Sequence, residues 1–515
     1  MTAKPEPLPI EALREDFDAA LAAGHVVVSA ATGSGKSTRL PVWAAARGPV
    51  LVVEPRRIAA TSLAGYVARL EGEEPGESIG YAVRFDAAHG EATRVLFATP
   101  GIALRWFADD GLAGFATVVL DEFHERRWDT DLLLALLQAA ATHRLVLTSA
   151  TFAGGRLAEY LGARHLESEG RSFPVETRHV AQKPRTMPST KHLDVRLADA
   201  VRRALAEADG DVLAFLPGVG EIRAAAKRLG DVDAEVIALH ASAPAGDQRR
   251  ALEAADHRRV ILATNVAETS LTVPGVTAVV DGGLERRTRR RNGRTVLAVE
   301  AIAQSAADQR AGRAGRTAPG LCLRLWSHDA PLQTATPPEV EREELTDLVL
   351  AAGCCGHPAR ELAFPAPLPE QSLAAAERRL ADIGAIDTDG RATDRGRALF
   401  ALPLDPLFAH LVVAMPDTAT AGFMADLVAA LSARQRVARP PRDPDELETL
   451  AKALGRRCDA TLLVAAVRGV ELPGVRVNRA GRDEPRRLGD QVRRLADLPA
   501  RPRELDVDPT AALRA

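Results

Sequence analysis

Short apolar runs alternate with stretches of helical spacing through the first part of the chain: His25–Ser29, Val50–Glu54, Arg94–Thr99, Ala116–Asp121 and Arg144–Ser149. Runs of this length predict buried strands, and strands separated by helices predict a parallel sheet covered on both faces. A second series follows the turn-forming stretch Pro184–Pro188. It comprises Asp211–Leu216, Glu235–Leu239, Arg259–Thr264, Thr277–Asp281 and Gly320–Leu325, with Ile222–Leu229 reading as one of the intervening helices. Within this series, Leu284–Val299 sets β-compatible arms on either side of Asn292-Gly293, a strong hairpin signal. Arg286, Arg287, Arg289, Arg290, Arg291 and Arg294 flank that turn, so a basic hairpin projecting from the second lobe is expected, against the plainer reading of a solvated charged loop. Beyond residue 330 the strand alternation stops. Pro337–Cys355 and Glu370–Ile383 read as amphipathic helices, and Asp389-Gly390 turns a short ribbon ending near Thr393, a pattern for a winged-helix module. From Leu399 to about residue 505 the chain reads as mostly helical. The expected fold class is α/β: two tandem parallel-sheet lobes, then a winged-helix module and a helical domain.

The densest chemistry lies in Ala30–Thr38, AATGSGKST, which leaves the first strand and opens a helix-compatible run ending near Gly48. This is the pattern of a phosphate-binding loop. Gly33 and Gly35 let successive backbone N–H groups turn inward, Lys36 supplies a point charge for the β/γ-phosphates, and Ser37 is placed for magnesium. Thr32, Gly33, Ser34, Gly35, Lys36, Ser37 and Thr38 are the expected nucleotide-binding residues. Ala30 stands where the usual pattern begins with glycine, and a flexible glycine loop is the plain alternative.

Ligands of parallel sheets sit beyond the carboxyl ends of the strands, and the polar clusters of this chain fall there. They are Glu54-Pro55-Arg56-Arg57, Thr99-Pro100-Gly101, Asp121-Glu122-Phe123-His124 and Ser149-Ala150-Thr151. Any one of them suits an ordinary strand-ending turn; four in one sheet do not. A carboxylate at a strand tip beside a phosphate loop can hold magnesium through water, and its neighbour can take a proton from an attacking water. Asp121 is assigned to the metal and Glu122 to the base, with His124 placed to bond across to the second lobe. In that lobe, Arg310, Arg313 and Arg316 recur at intervals of three in QRAGRAGR, which predicts one basic helical face presented to a partner.

Composition narrows the readings. At 515 residues the chain exceeds one ordinary domain, and about 150 residues per domain suggests three or four. With 46% hydrophobic and 26% charged residues it has a globular composition, and a net charge of −3 means that any polyanion site is local. The four cysteines show no C-x-x-C spacing, so neither a zinc site nor a disulfide framework is indicated. No apolar run approaches membrane-spanning length, and a soluble, cytoplasmic protein is expected.

The ordered set ATGSGKST, EPRRIAA, ATPG, DEFH, SAT, FLPG, ATNVAETSLTVPG and QRAGRAGR resembles the motif series of superfamily 2 helicases of the DEAH/RHA group. DEFH and DGGLER are most similar to the bacterial HrpB-type branch. The resemblance implies two RecA-like lobes at 1–178 and 179–330, a winged helix at 331–398 and a ratchet-like helical domain at 399–515. It implies ATP, or any NTP, and Mg2+ as cofactors. Gln309 would orient the attacking water, and Arg313 and Arg316 would be arginine fingers. Arg56, Arg57, Thr99, Gly101, Thr264 and Asn265 would hold the nucleic-acid backbone, joined by Arg289, Arg290 and Arg291 of the hairpin; Ser149 and Thr151, with His124, would couple hydrolysis to lobe movement. Pro274 stands where many relatives have Asp, and Leu284 where many have a base-stacking Phe. The implied activity is 3′–5′ translocation on single-stranded RNA with duplex or ribonucleoprotein remodelling, and ribonucleoprotein or ribosome-related partners are not identified by these residues. An NTP-gated RNA-binding clamp and a DNA-directed helicase stay open as alternatives. The family's further C-terminal region is not present before Ala515, so the sequence reads as a truncated or short form.

Overall fold

The computed structural model describes residues 8–31, 33–149, 154–168, 173–268, 273–291, 294–316, 318–433, 436–454 and 459–505. The chain forms two compact units, one of residues 1–344 with 363–369 and one of residues 345–362 with 370–515.

The first unit contains both parallel-sheet lobes. In the first lobe the strand order is Asp86–Ala88, Ile79–Val83, Val95–Ala98, Val50–Val53, Thr117–Leu120, Arg144–Ser149, Val26–Ala30 and Arg164–Ser168. All neighbours are parallel except the edge hairpin of Ile79–Val83 with Asp86–Ala88. The central strands are apolar along their whole length because helices cover both faces: Val50, Leu51, Val52 and Val53 are all buried, at about 1.5–3 kcal/mol for each such side chain. The strand that leads into the phosphate loop lies between Arg144–Ser149 and Arg164–Ser168, which aims that loop out of the carboxyl edge of the sheet.

The second lobe orders its strands Glu235–Leu239, Arg259–Ala263, Asp211–Phe215, Val276–Asp281, Gly320–Arg324 and Val175–His179, all parallel. Its edge strand Val175–His179 precedes Pro184–Pro188, so the second sheet begins earlier than the turn signals suggest. Both Arg164–Ser168 and Val175–His179 carry too few apolar residues to read as strands; each is an edge strand held by backbone pairing to a neighbour. The arginine-rich hairpin is present as antiparallel strands Leu284–Arg291 and Arg294–Ala301. Its turn, Asn292-Gly293, lies outside the described residues.

Two expectations are corrected. Arg310, Arg313 and Arg316 do not share a helical face, because the helix Gln304–Ala311 ends before the last two. Gly315 packs against the backbone of Phe173, where a Cβ would come within 2.5 Å of the Phe173 carbonyl oxygen, and the chain turns there instead of continuing helical. Arg310 is a core residue, bonded to Glu268 at 2.7 Å and Asp281 at 3.0 Å. Pro337–Cys355 is likewise not one helix: a single turn, Glu339–Arg342, is separated from Thr346–Cys354.

The second unit is helical, with a short ribbon of Ala438–Arg439 and Arg476–Val477 and a single bridge between Ile386 and Ala392 that closes over Gly390. Its helices Thr418–Leu431, Asp459–Arg468 and Arg479–Leu495 converge on one carboxylate. Asp426, with no exposed surface, meets Arg468 at 2.9 Å, Arg493 at 2.7 Å and Arg501 at 2.8 Å. Among the described residues no single helix is long and apolar enough to cross a membrane.

Candidate functional site

The phosphate loop is built around two left-handed glycines, Gly33 at φ 86° and Gly35 at φ 98°. A side chain at Gly35 would strike Leu8 at 2.8 Å as well as strain the backbone, so glycine is required there twice over. Lys36 opens the helix Lys36–Ala44 and is buried. Ser34 is buried, and the Thr38 hydroxyl donates to the Gly35 carbonyl at 3.0 Å. Thr32 lies outside the described residues.

Asp121 and Glu122 follow the strand Thr117–Leu120 directly, and both are buried. Glu122 adopts φ 50°, rare for a residue with a side chain, and this turn swings its carboxylate toward the loop. Its Oε1 lies 3.0 Å from Lys36 Nζ and its Oε2 3.4 Å from His124 Nδ1. Burial lowers the His124 pKa against the pull of Glu122. The Asp121 Oδ1 accepts from the Glu122 N–H at 3.0 Å and from the Thr148 hydroxyl. Burial by itself would raise the Asp121 carboxyl; the neighbouring Glu54 carboxyl, the Lys36 charge and the Ser37 and Thr148 hydroxyls outweigh it and hold it below the ordinary range. Glu54 shows the complement: burial first, then the Asp121 charge, pushes it well above that range. The two adjacent buried carboxyls are thus pushed in opposite directions, Glu54 up and Asp121 down.

The second lobe reaches into this site. A Cβ on Gly33 would meet the Arg316 guanidinium carbon at 3.6 Å, so Arg316 stands against the phosphate loop. Arg313 is buried and donates to the Glu268 carbonyl. Burial pushes Arg316 down to about 10 and Arg313 well below its usual value, and the Glu122 charge works against burial at both. Gln309 is half-buried on the helix Gln304–Ala311.

The residues expected at the nucleic acid sit at the carboxyl edges of both sheets. Thr99 caps the helix Pro100–Asp110, Gly101 is exposed beside it, and Arg57 is exposed. Arg56 bonds within the protein, to Glu125 at 2.9 Å and across the lobes to the Asn265 carbonyl at 2.7 Å. Thr264 and Asn265 are half-buried, and Ser149 is buried at the end of its strand. Thr151 lies outside the described residues, as do the side chains of Arg289, Arg290 and Arg291. At the hairpin base, Arg287 is buried against Glu285 and Thr336, and Arg286 reaches Glu221 at 3.4 Å, so these two arginines serve the fold.

Sequence reading assigned no role to Glu54, Thr148, Glu125 or Glu268, whose importance depends on which remote groups they meet. It also missed Arg84-Phe85, at the tip of the edge hairpin. Phe85 is 37% exposed at φ 70°, with the Arg84 guanidinium 4.9 Å from its ring centre. The signal available was Val83-Arg84-Phe85-Asp86 between two short β-compatible arms.

A phosphate loop on one lobe, a carboxylate pair beside it and arginines from a second lobe define the site of a two-lobed P-loop protein. Residues 14–159 match the DEAD/DEAH box helicase family and residues 196–318 the helicase conserved C-terminal domain. The chain belongs to the DEAH/RHA-type helicases. It is 37% identical over 459 residues to ATP-dependent RNA helicase HrpB of Escherichia coli (strain K12), covering 84% of this chain and 55% of that protein. It is 35% identical over 436 residues to ATP-dependent RNA helicase HrpA of the same organism, covering 79% of this chain and 33% of the relative. To the pre-mRNA-splicing factor ATP-dependent RNA helicase prp22 of Schizosaccharomyces pombe it is 32% identical over 473 residues, 86% of this chain and 40% of the relative. The crystal structure of the Escherichia coli DEAH/RHA helicase HrpB superposes with a TM-score of 0.79 at 33% identity, over 96% of this chain and 61% of that one. The chain thus spans 33–55% of the length of these curated relatives.

Proposed function

We propose that the protein is an ATP-dependent RNA helicase that couples NTP hydrolysis to 3′–5′ movement on single-stranded RNA and to remodelling of duplexes or ribonucleoproteins. The observation that carries this reading is the approach of Arg316, from the second lobe, to Gly33 of the phosphate loop in the first. A hydrolytic site completed by both lobes ties each turnover to their relative position. In this reading Lys36 leaves Glu122 for the incoming phosphates, Glu122 takes the proton of the attacking water that Gln309 orients, and the two arginines stabilise the charge that develops. Asp121 and Ser37 fit magnesium, because the Asp121 carboxylate is buried and anionic and the Ser37 hydroxyl bonds to it, which sets both oxygen donors at one place. Mg2+ bound there would screen the phosphate charge. His124, Ser149 and Thr151 would relay turnover to lobe movement. Arg56, Arg57, Thr99, Gly101, Thr264 and Asn265 would hold the RNA backbone. The domains proposed at 1–178, 179–330, 331–398 and 399–515 keep their number and order, with the first limit moved ahead of Val175, whose strand pairs in the second sheet, and the third domain, a winged helix, beginning near 345 where the second unit starts; a cytoplasmic protein fits this function.

NTPase activity measured without polymer, with single-stranded RNA and with single-stranded DNA tests the reading, together with strand separation on a tailed duplex. RNA stimulation with hydrolysis-dependent separation is expected. Stimulation without separation would make the protein a clamp, and equal or stronger stimulation by DNA would make it DNA-directed.

Two further outcomes are expected. Leu284 is buried in the core of the second lobe and cannot stack on a base, and an aromatic in that role supplies about 1–3 kcal/mol. ATP, GTP, CTP and UTP should therefore be hydrolysed with kcat/KM within about tenfold of one another. A strict ATP preference would show that another group reads the base. Replacing Arg289, Arg290 and Arg291 together by alanine should weaken RNA binding and flatten its salt dependence by about two units in log–log slope. Saturated hydrolysis should hold while unwinding falls. An unchanged affinity, slope and unwinding rate would return the hairpin to a solvated loop.

A further inference from the structure

Residues 333–343, between the second sheet and the second unit, touch three working parts of the first unit. At their start, the carbonyls of Gln333 and Thr334 accept the N–H groups of Gln304 at 2.8 Å and Ser305 at 3.1 Å, which open the helix carrying Gln309. In the middle, the Thr336 hydroxyl accepts from Arg287 of the hairpin at 3.0 Å. Arg342 then donates to the Thr288 carbonyl of the same hairpin strand at 2.6 Å, and Glu343 accepts from the Thr288 hydroxyl.

The third contact is with the catalytic loop. The Glu339 N–H donates to the Arg126 carbonyl at 2.9 Å, and its carboxylate Oε2 accepts the Trp128 N–H at 3.1 Å. Its Oε1 lies 3.3 Å from Arg342. A continuous chain thus runs from the hairpin backbone at Thr288 through Arg342 and Glu339 to the backbone of Arg126 and Trp128. That loop begins at Glu122 and is wound through two left-handed non-glycine residues, Glu122 at φ 50° and Arg126 at φ 47°. Such a conformation persists only where surrounding contacts hold it, and Glu339 holds its far end. At the hairpin and loop ends the shortest contacts of Arg342 and Glu339 are to main-chain atoms, with the Thr288 hydroxyl a longer second partner of Arg342 at 3.4 Å, so a displacement of either backbone is felt directly.

We infer that residues 333–343 are a strap through which nucleic acid on the hairpin sets the position of the catalytic loop, with Arg342 and Glu339 as positioning residues. The inference rests on the reading of the protein as an RNA-stimulated NTPase. Burial pushes the Glu339 carboxyl up to about 7, with Glu343 and Asp129 adding to it and Arg127 and Arg342 opposing, so assays belong at pH 8, where the Glu339–Arg342 pair is charged.

Arg342→Ala in the full chain should lower the ratio of RNA-stimulated to basal kcat about fivefold or more, a typical coupling between sites. Basal kcat, the KM for ATP and the RNA Kd should stay within about twofold, since no group touching substrate is altered. Arg342→Lys, which keeps a donor for Thr288, should restore part of the ratio, and Glu339→Gln, which keeps an acceptor for Trp128 N–H, should fall between. Hydrogen exchange gives a readout that needs no RNA: in Arg342→Ala the amides of Trp128 and Glu339 should exchange faster. If the parent is not stimulated by RNA at all, the functional reading fails and the strap is judged by exchange. If the parent is stimulated and Arg342→Ala leaves the ratio unchanged, or if exchange at Trp128 does not change, the strap is only a packing contact and the inference is overturned.

Discussion

Glu122→Gln is expected to lower ATP hydrolysis by about two orders of magnitude or more while ATP still binds. The amide has the size of the carboxylate and can keep one hydrogen bond in the turn at φ 50°, but it cannot accept a proton from water. The Lys36 ammonium, 3.0 Å from Glu122 Oε1, loses its anionic partner in this variant and becomes more available to phosphate, so ATP affinity should be kept or improved. Lys36→Ala should do the opposite and weaken binding itself. Single-turnover hydrolysis and direct nucleotide titration separate the two effects. Hydrolysis within about tenfold of the parent in Glu122→Gln would remove that residue from the role of base.

Asp426→Ala is expected to destabilise the helical unit by about 3–5 kcal/mol, the usual cost of removing one partner from a buried ion pair. Here one carboxylate serves Arg468, Arg493 and Arg501. The arginines also donate to the carbonyls of Glu504, Pro499, Gly422 and Arg486, and Arg501 meets Asp490 at 3.1 Å. The carbonyl bonds satisfy N–H groups without neutralising charge, and of the three arginines Arg501 keeps Asp490, so alanine leaves Arg468 and Arg493 buried without the Asp426 charge. Asp426→Asn keeps the shape and should also be destabilised, because the missing quantity is charge. Denaturation and hydrogen exchange in Thr418–Leu431, Asp459–Arg468 and Arg479–Leu495 measure this. A loss below about 1 kcal/mol would mean that the guanidiniums find water or other acceptors.

The phosphate loop, the carboxylate pair and the alternation of strand and helix were legible in the chain because each is a local matter. Gly33 and Gly35 are required by the backbone angles of their own turn, Lys36 is marked by its place directly after them, and strands such as Val50–Val53 announce burial on both faces by being apolar throughout. The hairpin Leu284–Ala301 was legible for the same reason: its turn residues and its register lie within one short segment. Tertiary structure decided the partners. QRAGRAGR reads as one basic face, yet Arg310 is spent on Glu268 and Asp281 within its own lobe, while Arg316 crosses to Gly33 in the other. Glu54 differs from any strand-ending glutamate only by lying beside Asp121, and Asp426 from any helical aspartate only by the three arginines that converge on it. Nothing in the spacing of residues 333–343 marks them, because their contacts at Thr288, Arg126 and Trp128 are mostly to main-chain atoms. Periodicity and turn chemistry report the environment that a residue makes with its near neighbours; which charge is neutralised, and by whom, is set by groups far apart in sequence that only the packed fold brings within hydrogen-bonding distance.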